Sequence, residues 1–251
     1  MDTGSVTYTN ENGIAHIKFQ HPKSNSLPSS LLKQLADTIR DAGADENAKV
    51  IILESEGEKT FCAGASFDEL LGIDNFEDGY NFFSGFAGVI NEMRKCPKFI
   101  IGRIQGKAVG GGVGLIAACD YAIAHNSSSI RLSEFALGIG PFVIGPAVER
   151  KIGKAAFAQF SMDIDWYDAQ WAYNRGLYAK VFATHGELDQ AIEELAHLLA
   201  ESSLEATAEL KAMYWEGTEN WETLLSKRAE ISGKLVLSDF TKNYIRKFKN
   251  K

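Results

Sequence analysis

Apolar positions in the first half of the chain gather into short blocks set apart by small and polar residues. Ile14, Ile17 and Phe19 follow the turn-forming Glu11-Asn12-Gly13 and predict a strand. Pro28-Ser29-Ser30 opens a helix whose buried face is marked by Leu31, Leu32, Leu35 and Ile39 at helical spacing. Val50-Ile51-Ile52-Leu53 is a continuous apolar run, short enough for a buried parallel strand. Phe99-Ile100-Ile101 begins another strand, Val113 to Ala118 reads as a helix behind three glycines, and Tyr121-Ala122-Ile123-Ala124 is the next strand. Strands alternating with helices predict an α/β fold with parallel pairing. The pattern changes near residue 155, beyond which the chain reads as helical. Leu188, Ile192, Leu195 and Leu199 form one amphipathic stripe, and Leu204, Leu210 and Met213 continue it. This helical end is expected to pack on the core or on a neighbouring subunit.

A chain of 251 residues is ample for a buried core in one large domain, or one domain with a small appendage. The formal net charge of −7 argues against nucleic-acid binding, which needs a concentrated basic face. The basic tail residues Arg246, Lys247, Lys249 and Lys251 read as a solvated helix end, where cations suit the dipole. Three widely spaced cysteines, Cys62, Cys96 and Cys119, do not make a disulfide framework, and a reducing cytoplasm is the expected compartment. Met1-Asp2-Thr3-Gly4-Ser5 carries neither a charged n-region nor an apolar h-region, so no signal peptide is expected. No apolar run approaches the ~20 residues of a membrane span.

Three segments could carry chemistry. Gly106 to Gly114 is rich in glycine, and glycines at a helix start expose backbone N–H groups beside the positive dipole end, where an anion or developing oxyanion is favoured. A phosphate loop would need Gly-Lys-Ser/Thr after the glycines, and a dinucleotide fingerprint would need glycine where Leu115 stands. On the glycines alone, a helix packed tightly on a strand is the slightly favoured reading. Phe61-Cys62-Ala63-Gly64-Ala65-Ser66-Phe67 follows a strand with small residues that would let a ligand approach, and Cys62 reads as a packed thiol. Glu134 lies among mostly apolar neighbours. Buried there, its pKa would rise and suit proton transfer near neutral pH; on its neighbours alone, an ordinary surface glutamate on a loop or helix end is the favoured reading. The five histidines have no metal-ligand spacing, so no metal is expected. Phe76, Tyr80, Phe82, Phe83 and Phe86 fit an apolar lining or lid, or core packing.

Taken together, these segments resemble the enoyl-CoA hydratase/isomerase (crotonase) family in order and spacing. His21-Pro22-Lys23-Ser24-Asn25-Ser26-Leu27 is similar to the family's Pro-x-x-x-Asn-Ala-Leu, one residue shorter. Phe61 to Phe67 resembles Phe-Cys-Ala-Gly-Ala-Asp-Leu, and Gln105 to Asp120 resembles Gly-x-Ala-x-Gly-Gly-Gly-x-Glu-Leu-x-x-x-Cys-Asp. Ser133-Glu134 with Gly138, Pro141 and Gly145 resembles Pro-Glu-x-x-x-Gly-x-x-Pro-x-x-Gly. The resemblance is strong from about residue 13 to 155 and weaker through the helical end.

The resemblance implies a crotonase-like spiral of ββα turns over residues 1–190 and a helical C-terminal trimerisation region over 191–251, assembled as a homotrimer or a dimer of trimers. It implies that the backbone N–H groups of Ala65 and Gly111 form an oxyanion hole, that Glu134 is the catalytic acid/base, and that Lys23, Ser24, Ala63, Ser66 and Phe67 hold the CoA. Coenzyme A arrives as part of the acyl-CoA substrate, so no separate cofactor is expected. Three departures stand out. Ser66 replaces the usual aspartate, Asp239-Phe240-Thr241-Lys242-Asn243 lacks the usual Glu-Gly, and Gly114, in the substrate site by resemblance, replaces the first of two hydratase glutamates. Hydration wants two carboxylates, whereas double-bond migration needs one. The expectation is therefore enoyl-CoA isomerisation, with hydration through a second acid between Asp68 and Asp78 as the alternative. A non-catalytic acyl-CoA binder is the alternative of another class.

Overall fold

The computed structural model describes residues 4–249, so Met1, Asp2 and Thr3 of the N-terminal segment and Lys251 of the basic tail lie outside the described residues. The strands are β1 (Ser5–Glu11), β2 (Ile14–Gln20), β3 (Val50–Ser55), β4 (Thr60–Cys62) and β5 (Ile100–Ile104), followed by β6 (Lys107–Val109), β7 (Tyr121–His125), β8 (Ser129–Arg131), β9 (Tyr167–Asp168) and β10 (Lys180–Phe182). The helices in the first part of the chain are α1 (Ser29–Ala44), α2 (Phe67–Gly72), α3 (Phe76–Lys95), α4 (Gly111–Ala118) and α5 (Gly145–Ile152). The later ones are α6 (Lys154–Asp163), α7 (Ala169–Asn174), α8 (His185–Ala200), α9 (Leu204–Tyr214), α10 (Trp221–Leu235) and α11 (Asp239–Lys249).

β1 and β2 form an antiparallel hairpin across Asn12 and Gly13, whose φ values of 53° and 85° are the left-handed pair that a tight hairpin turn demands. Every later pairing in the larger sheet, ordered β1-β2-β3-β5-β7-β10, is parallel. The smaller sheet runs β4-β6-β8-β9. The chain thus gives one strand to each sheet in turn, β3 then β4, β5 then β6, β7 then β8, with helices between. This is the spiral of ββα turns.

The continuous apolar runs have a direct cause, since the larger sheet is buried on both faces. Phe19, Leu53 and Ile104 point into the main core, where Phe19 meets Phe61 edge to face at 5.4 Å. Ile14, Val50, Ile52, Ile101 and Ile123 point the other way and are covered by Leu188, Ile192 and Ala196 of α8. The predicted α8 stripe is therefore present, and Thr184 and Glu187 start the helix with a capping box. The expected boundary between residues 190 and 191 falls inside this helix.

The continuation of that stripe into α9 is corrected. Leu210 and Met213 are exposed, and Lys211 is the buried anchor, 1% exposed. Its Nζ lies 2.8 Å from Asp120 Oδ2 and donates to Lys98 O at 2.7 Å. A lysine can replace an apolar anchor where a carboxylate and a carbonyl take up its charge and protons.

The helical end folds back over the core of its own chain. α10 packs on α3, where Tyr80 Oη and Ser226 Oγ are hydrogen-bonded at 2.9 Å and Arg94 pairs with Glu222 at 2.8 Å. The two backbones touch at a pair of glycines: a Cβ on Gly79 would lie 3.0 Å from Gly233 O, and one on Gly233 would lie 2.8 Å from Tyr80 N. Gly233→Val is expected to force the helices apart and cost about 1–3 kcal/mol, read as a lower melting temperature. An unchanged melting temperature would show that this crossing is loose. No helix among the described residues is long and apolar enough to cross a membrane.

Candidate active site

Two loops are stitched together at the edge of the smaller sheet. Ala63 N donates to Ser24 O at 3.2 Å, Leu27 N to Gly64 O at 2.8 Å, and Ser66 N to Leu27 O at 3.2 Å. Asn25 fixes the first loop. Its side chain accepts from His21 N at 3.1 Å and donates to Glu56 O at 2.8 Å and Thr60 O at 2.9 Å. The bridge at Leu27 uses Gly64 O and Ser66 N, so the N–H of Ala65 between them faces away from Leu27. Gly64, at φ +88°, lets the next loop approach: a Cβ there would lie 2.8 Å from Val109 O and 3.5 Å from Gly111 N.

Gly111 is the first residue of α4, and the N–H of a first helical residue has no intrahelical acceptor. Among the described residues, no backbone carbonyl takes up the N–H of Ala65 or of Gly111. Both residues line one cavity of about 170 Å³. Its walls include Phe82, Phe83 and Phe86 of α3, Phe67 and Leu70 of α2, Leu137, the segment 139–144, and Ser232 of α10.

Glu134 closes this cavity. β8 leads to it, and Gly110 N donates to Arg131 O at 2.9 Å, tying the glycine loop to the strand end. The Glu134 carbonyl accepts from Leu137 N at 3.1 Å and Ile139 N at 3.0 Å, which folds the turn. Gly110 must be glycine, because it sits at φ +53° and a Cβ would come 2.7 Å from Glu134 Oε1. The residue as a whole is half-buried, yet its Oε2 is sealed from solvent and has no hydrogen-bond partner. Burial pushes its carboxyl up to about 7, against a smaller downward pull from the backbone N–H groups of Glu134 and Ser133. Among the described residues that line the cavity it is the one ionisable side chain. A carboxyl poised near neutrality beside free backbone donors can move a proton while a developing negative charge is held elsewhere in the cavity.

The sequence-derived site residues separate into two groups. Ala63, Ala65, Phe67, Gly111 and Glu134 line the cavity. Lys23, Ser24, Ser66 and Gly114 do not. Lys23 is exposed and paired with Asp68 beside the stitched loops. Ser66 caps α2 by accepting from Glu69 N at 3.3 Å. Gly114 is buried inside α4, where a Cβ would lie 2.5 Å from Ile144 Cγ2.

The segment from Asp68 to Asp78 brings no carboxylate to the cavity. Asp68 holds Lys23, Glu69 accepts from Ser29 N at 2.9 Å and Ser29 Oγ at 2.8 Å, and Asp74, Glu77 and Asp78 are exposed. Phe82, Phe83 and Phe86 are lining residues, whereas Phe76 and Tyr80 stack on each other at 6.2 Å away from it. Cys62 is buried and its thiol is pushed up to about 12 by burial, as a packed thiol would be. Sequence reasoning missed Ile139, Phe142, Ile144 and Ser232. Ile139, Phe142 and Ile144 are ordinary core residue types until the turn after Glu134 folds over the cavity, and Ser232 reaches it only because α10 packs back on α3.

The family model described as enoyl-CoA hydratase/isomerase matches residues 9–251. The mitochondrial methylglutaconyl-CoA hydratase of Rattus norvegicus is 34% identical over 178 residues, covering 70% of this chain and 56% of that protein. The chain therefore spans little more than half the length of that relative. The short-chain-enoyl-CoA hydratase of Clostridium acetobutylicum is 27% identical over 253 residues, covering 99% of this chain and 95% of that one. The crystal structure of an enoyl-CoA hydratase from Mycobacterium avium superposes with a TM-score of 0.87 at 27% identity, covering 98% of this chain and 96% of the other.

Proposed function

The chain belongs to the enoyl-CoA hydratase/isomerase family, and from that premise we propose that it moves the double bond of an enoyl-CoA thioester, with Glu134 as the proton carrier. The observation that carries this reading is a cavity whose only ionisable lining side chain among the described residues is one glutamate, pushed by burial up to about 7. In the proposed reaction, the Glu134 carboxylate takes a proton from C2 of a 3-enoyl-CoA. The electron pair moves into a dienolate whose negative charge rests on the thioester oxygen. The N–H groups of Ala65 and Gly111 stabilise that charge, and losing one such donor typically costs ~3–4 kcal/mol. Glu134 then returns the proton to C4, which leaves a 2-enoyl-CoA. Every atom is conserved, and nothing beyond the thioester is consumed, so the reaction needs no separate cofactor.

Hydration is the second reading, favoured by the names of the relatives. It would require one carboxyl both to activate water and to deliver the proton to C2, since the acids from Asp68 to Asp78 are engaged or exposed outside the cavity. A non-catalytic binder would have no use for a sealed, unpartnered carboxyl. Product analysis with 3-enoyl- and 2-enoyl-CoA separates the readings. Interconversion of the two with slow release of 3-hydroxyacyl-CoA is expected, and rapid 3-hydroxyacyl-CoA formation would overturn the isomerase reading. Assembly as a trimer or a pair of trimers belongs to the same proposal. The exposed Leu210, Met213 and Tyr214 of α9 offer apolar surface for it, and light scattering at a multiple of three chains is its check.

A further inference from the structure

Glu134 shares its cavity with a wall one residue thick. Gly140, Pro141 and Phe142 line the 170 Å³ cavity and also a second, larger hollow of about 810 Å³ on the far side. Phe142 N donates to Gly140 O at 2.9 Å, a three-residue turn centred on Pro141 and entered through Gly140 at φ +95°. The turn folds the Phe142 ring back over Gly140, so that a Cβ on Gly140 would lie 2.8 Å from Phe142 Cε2. Pro141 O accepts from Gly145 N at 2.9 Å and ties the turn to the start of α5. The ring thus lies against Gly140, on a turn whose backbone is anchored to α5.

The chemistry of the near side is equally narrow. Apart from Glu134, the polar side chains lining the smaller cavity are Ser133 and Ser232, and no lysine, arginine or histidine lines it among the described residues. The cations Arg150, Lys154 and Arg228 all lie in the larger hollow, beyond the wall. An acyl group ending in a carboxylate would place a second negative charge in an apolar pocket beside Glu134, with no cation to meet it.

We propose that this cavity selects short acyl groups with an uncharged end, and that Phe142 is the residue that sets the length limit. This rests on the reading that the cavity takes the acyl group of a CoA thioester, and not on which reaction follows. The apolar walls reward each methylene they bury, about fourfold in affinity for ~0.8 kcal/mol. That gain ends where the chain meets the Phe142 ring. Beyond the ring, the apolar surfaces of Phe157, Trp221 and Leu224 would receive a longer chain if the ring were removed.

Binding of saturated, unreactive thioesters tests this without reference to turnover. Titration with butyryl-, hexanoyl-, octanoyl-, decanoyl- and lauroyl-CoA is expected to show affinity rising along the first members and then levelling or falling. Phe142→Ala is expected to carry the rise on to the longer chains, with Phe142→Leu in between should the alanine variant fold poorly. Glutaryl-CoA is expected to bind at least about tenfold more weakly than pentanoyl-CoA, which has the same carbon count and a methyl end. A wild-type profile that rises without a break to lauroyl-CoA, a Phe142→Leu profile identical to wild type, or glutaryl-CoA binding as well as pentanoyl-CoA would each overturn the proposal and leave the thioester reading intact. If no thioester bound at all, the thioester reading would fail, and this proposal with it.

Discussion

Glu134→Gln is expected to abolish nearly all turnover while stabilising the fold at neutral and alkaline pH. The amide has the shape of the carboxyl but cannot accept a proton from carbon. General acid–base help is worth about 10²–10⁴-fold, and the loss of a sole proton carrier sits at or above the top of that range. Affinity for an acyl-CoA is expected to stay within about threefold of wild type, because the apolar walls and the donors at Ala65 and Gly111 are untouched. In the wild type, the base must be ionised, so activity is expected to rise with pH through about 7 and level off above it. Stability runs the other way. A carboxyl that titrates near 7 when folded and near 4.5 when unfolded binds more protons in the native state between those values. Native stability therefore falls as pH rises across that window, by on the order of 2–3 kcal/mol, and stays lower above it. The neutral amide removes this dependence. Some of the gain is returned because a buried amide without partners costs about 1 kcal/mol or more. Unfolding titrations of both proteins on either side of pH 7, read beside single-turnover rates, check both halves. Wild-type turnover in the variant would place the base elsewhere, and parallel pH–stability curves would mean that Glu134 is not desolvated as the structure has it.

How much of this was legible in the sequence depended on the range over which each feature is decided. The strands from Val50, Ile100 and Tyr121 were readable because burial on both faces leaves short, mostly apolar runs, and the strand from Ile14 was readable from Ile17 and Phe19 behind its turn. The α8 stripe was readable because one face of one helix meets one sheet. By contrast, β4, β6 and β8 have three residues each, too few for any period to show, and they form only because the spiral brings them side by side. α9 misled for a related reason. Leu210 and Met213 have the spacing of a buried face, but the deciding contact is Lys211 with Asp120, which lies far away in sequence. In the site, Glu134 could be singled out only by resemblance, since its own neighbours do not reveal whether it is buried. Its carboxyl is buried against Gly110, which lies 24 residues away in sequence. The gap at Gly114 was visible at once as a missing carboxylate. What fills that gap was not visible, because Ile144 belongs to a different loop.

That filling decides the outcome of restoring the carboxylate. Gly114→Glu alone is expected to fail as a route to hydration. All eight residues of α4 are buried. A Cβ at position 114 would lie 2.5 Å from Ile144 Cγ2 and 2.8 Å from Ile144 Cβ, with Ile90 Cδ1 at 3.7 Å. Carbon atoms in contact sit at about 3.5–4.0 Å, so the glutamate needs more space than the side chain of Ile144 leaves. Overpacking and an added charge in the core together are expected to cost about 3–5 kcal/mol, enough to lower the melting temperature by several degrees. Truncating Ile144 to alanine would not suffice, because its Cβ is itself one of the two clashing atoms. Gly114→Glu combined with Ile144→Gly removes both atoms and opens the space toward the cavity that Ile144 lines. In this double variant two carboxyls would share one site. One pKa is then expected to rise further, so the pH profile changes shape. The ratio of hydration to isomerisation is expected to increase at least about tenfold over wild type, as a second acid supplies what one glutamate must otherwise do alone. The measurement is 3-hydroxyacyl-CoA formed per turnover of 2-enoyl-CoA, taken with the melting temperature for both variants. A single Gly114→Glu protein as stable as wild type that hydrates rapidly would show that Ile144 yields easily. A stable double variant with no gain would show that position 114 does not face the thioester, and the single-glutamate argument for isomerisation would lose its contrast with the two-carboxylate hydratases.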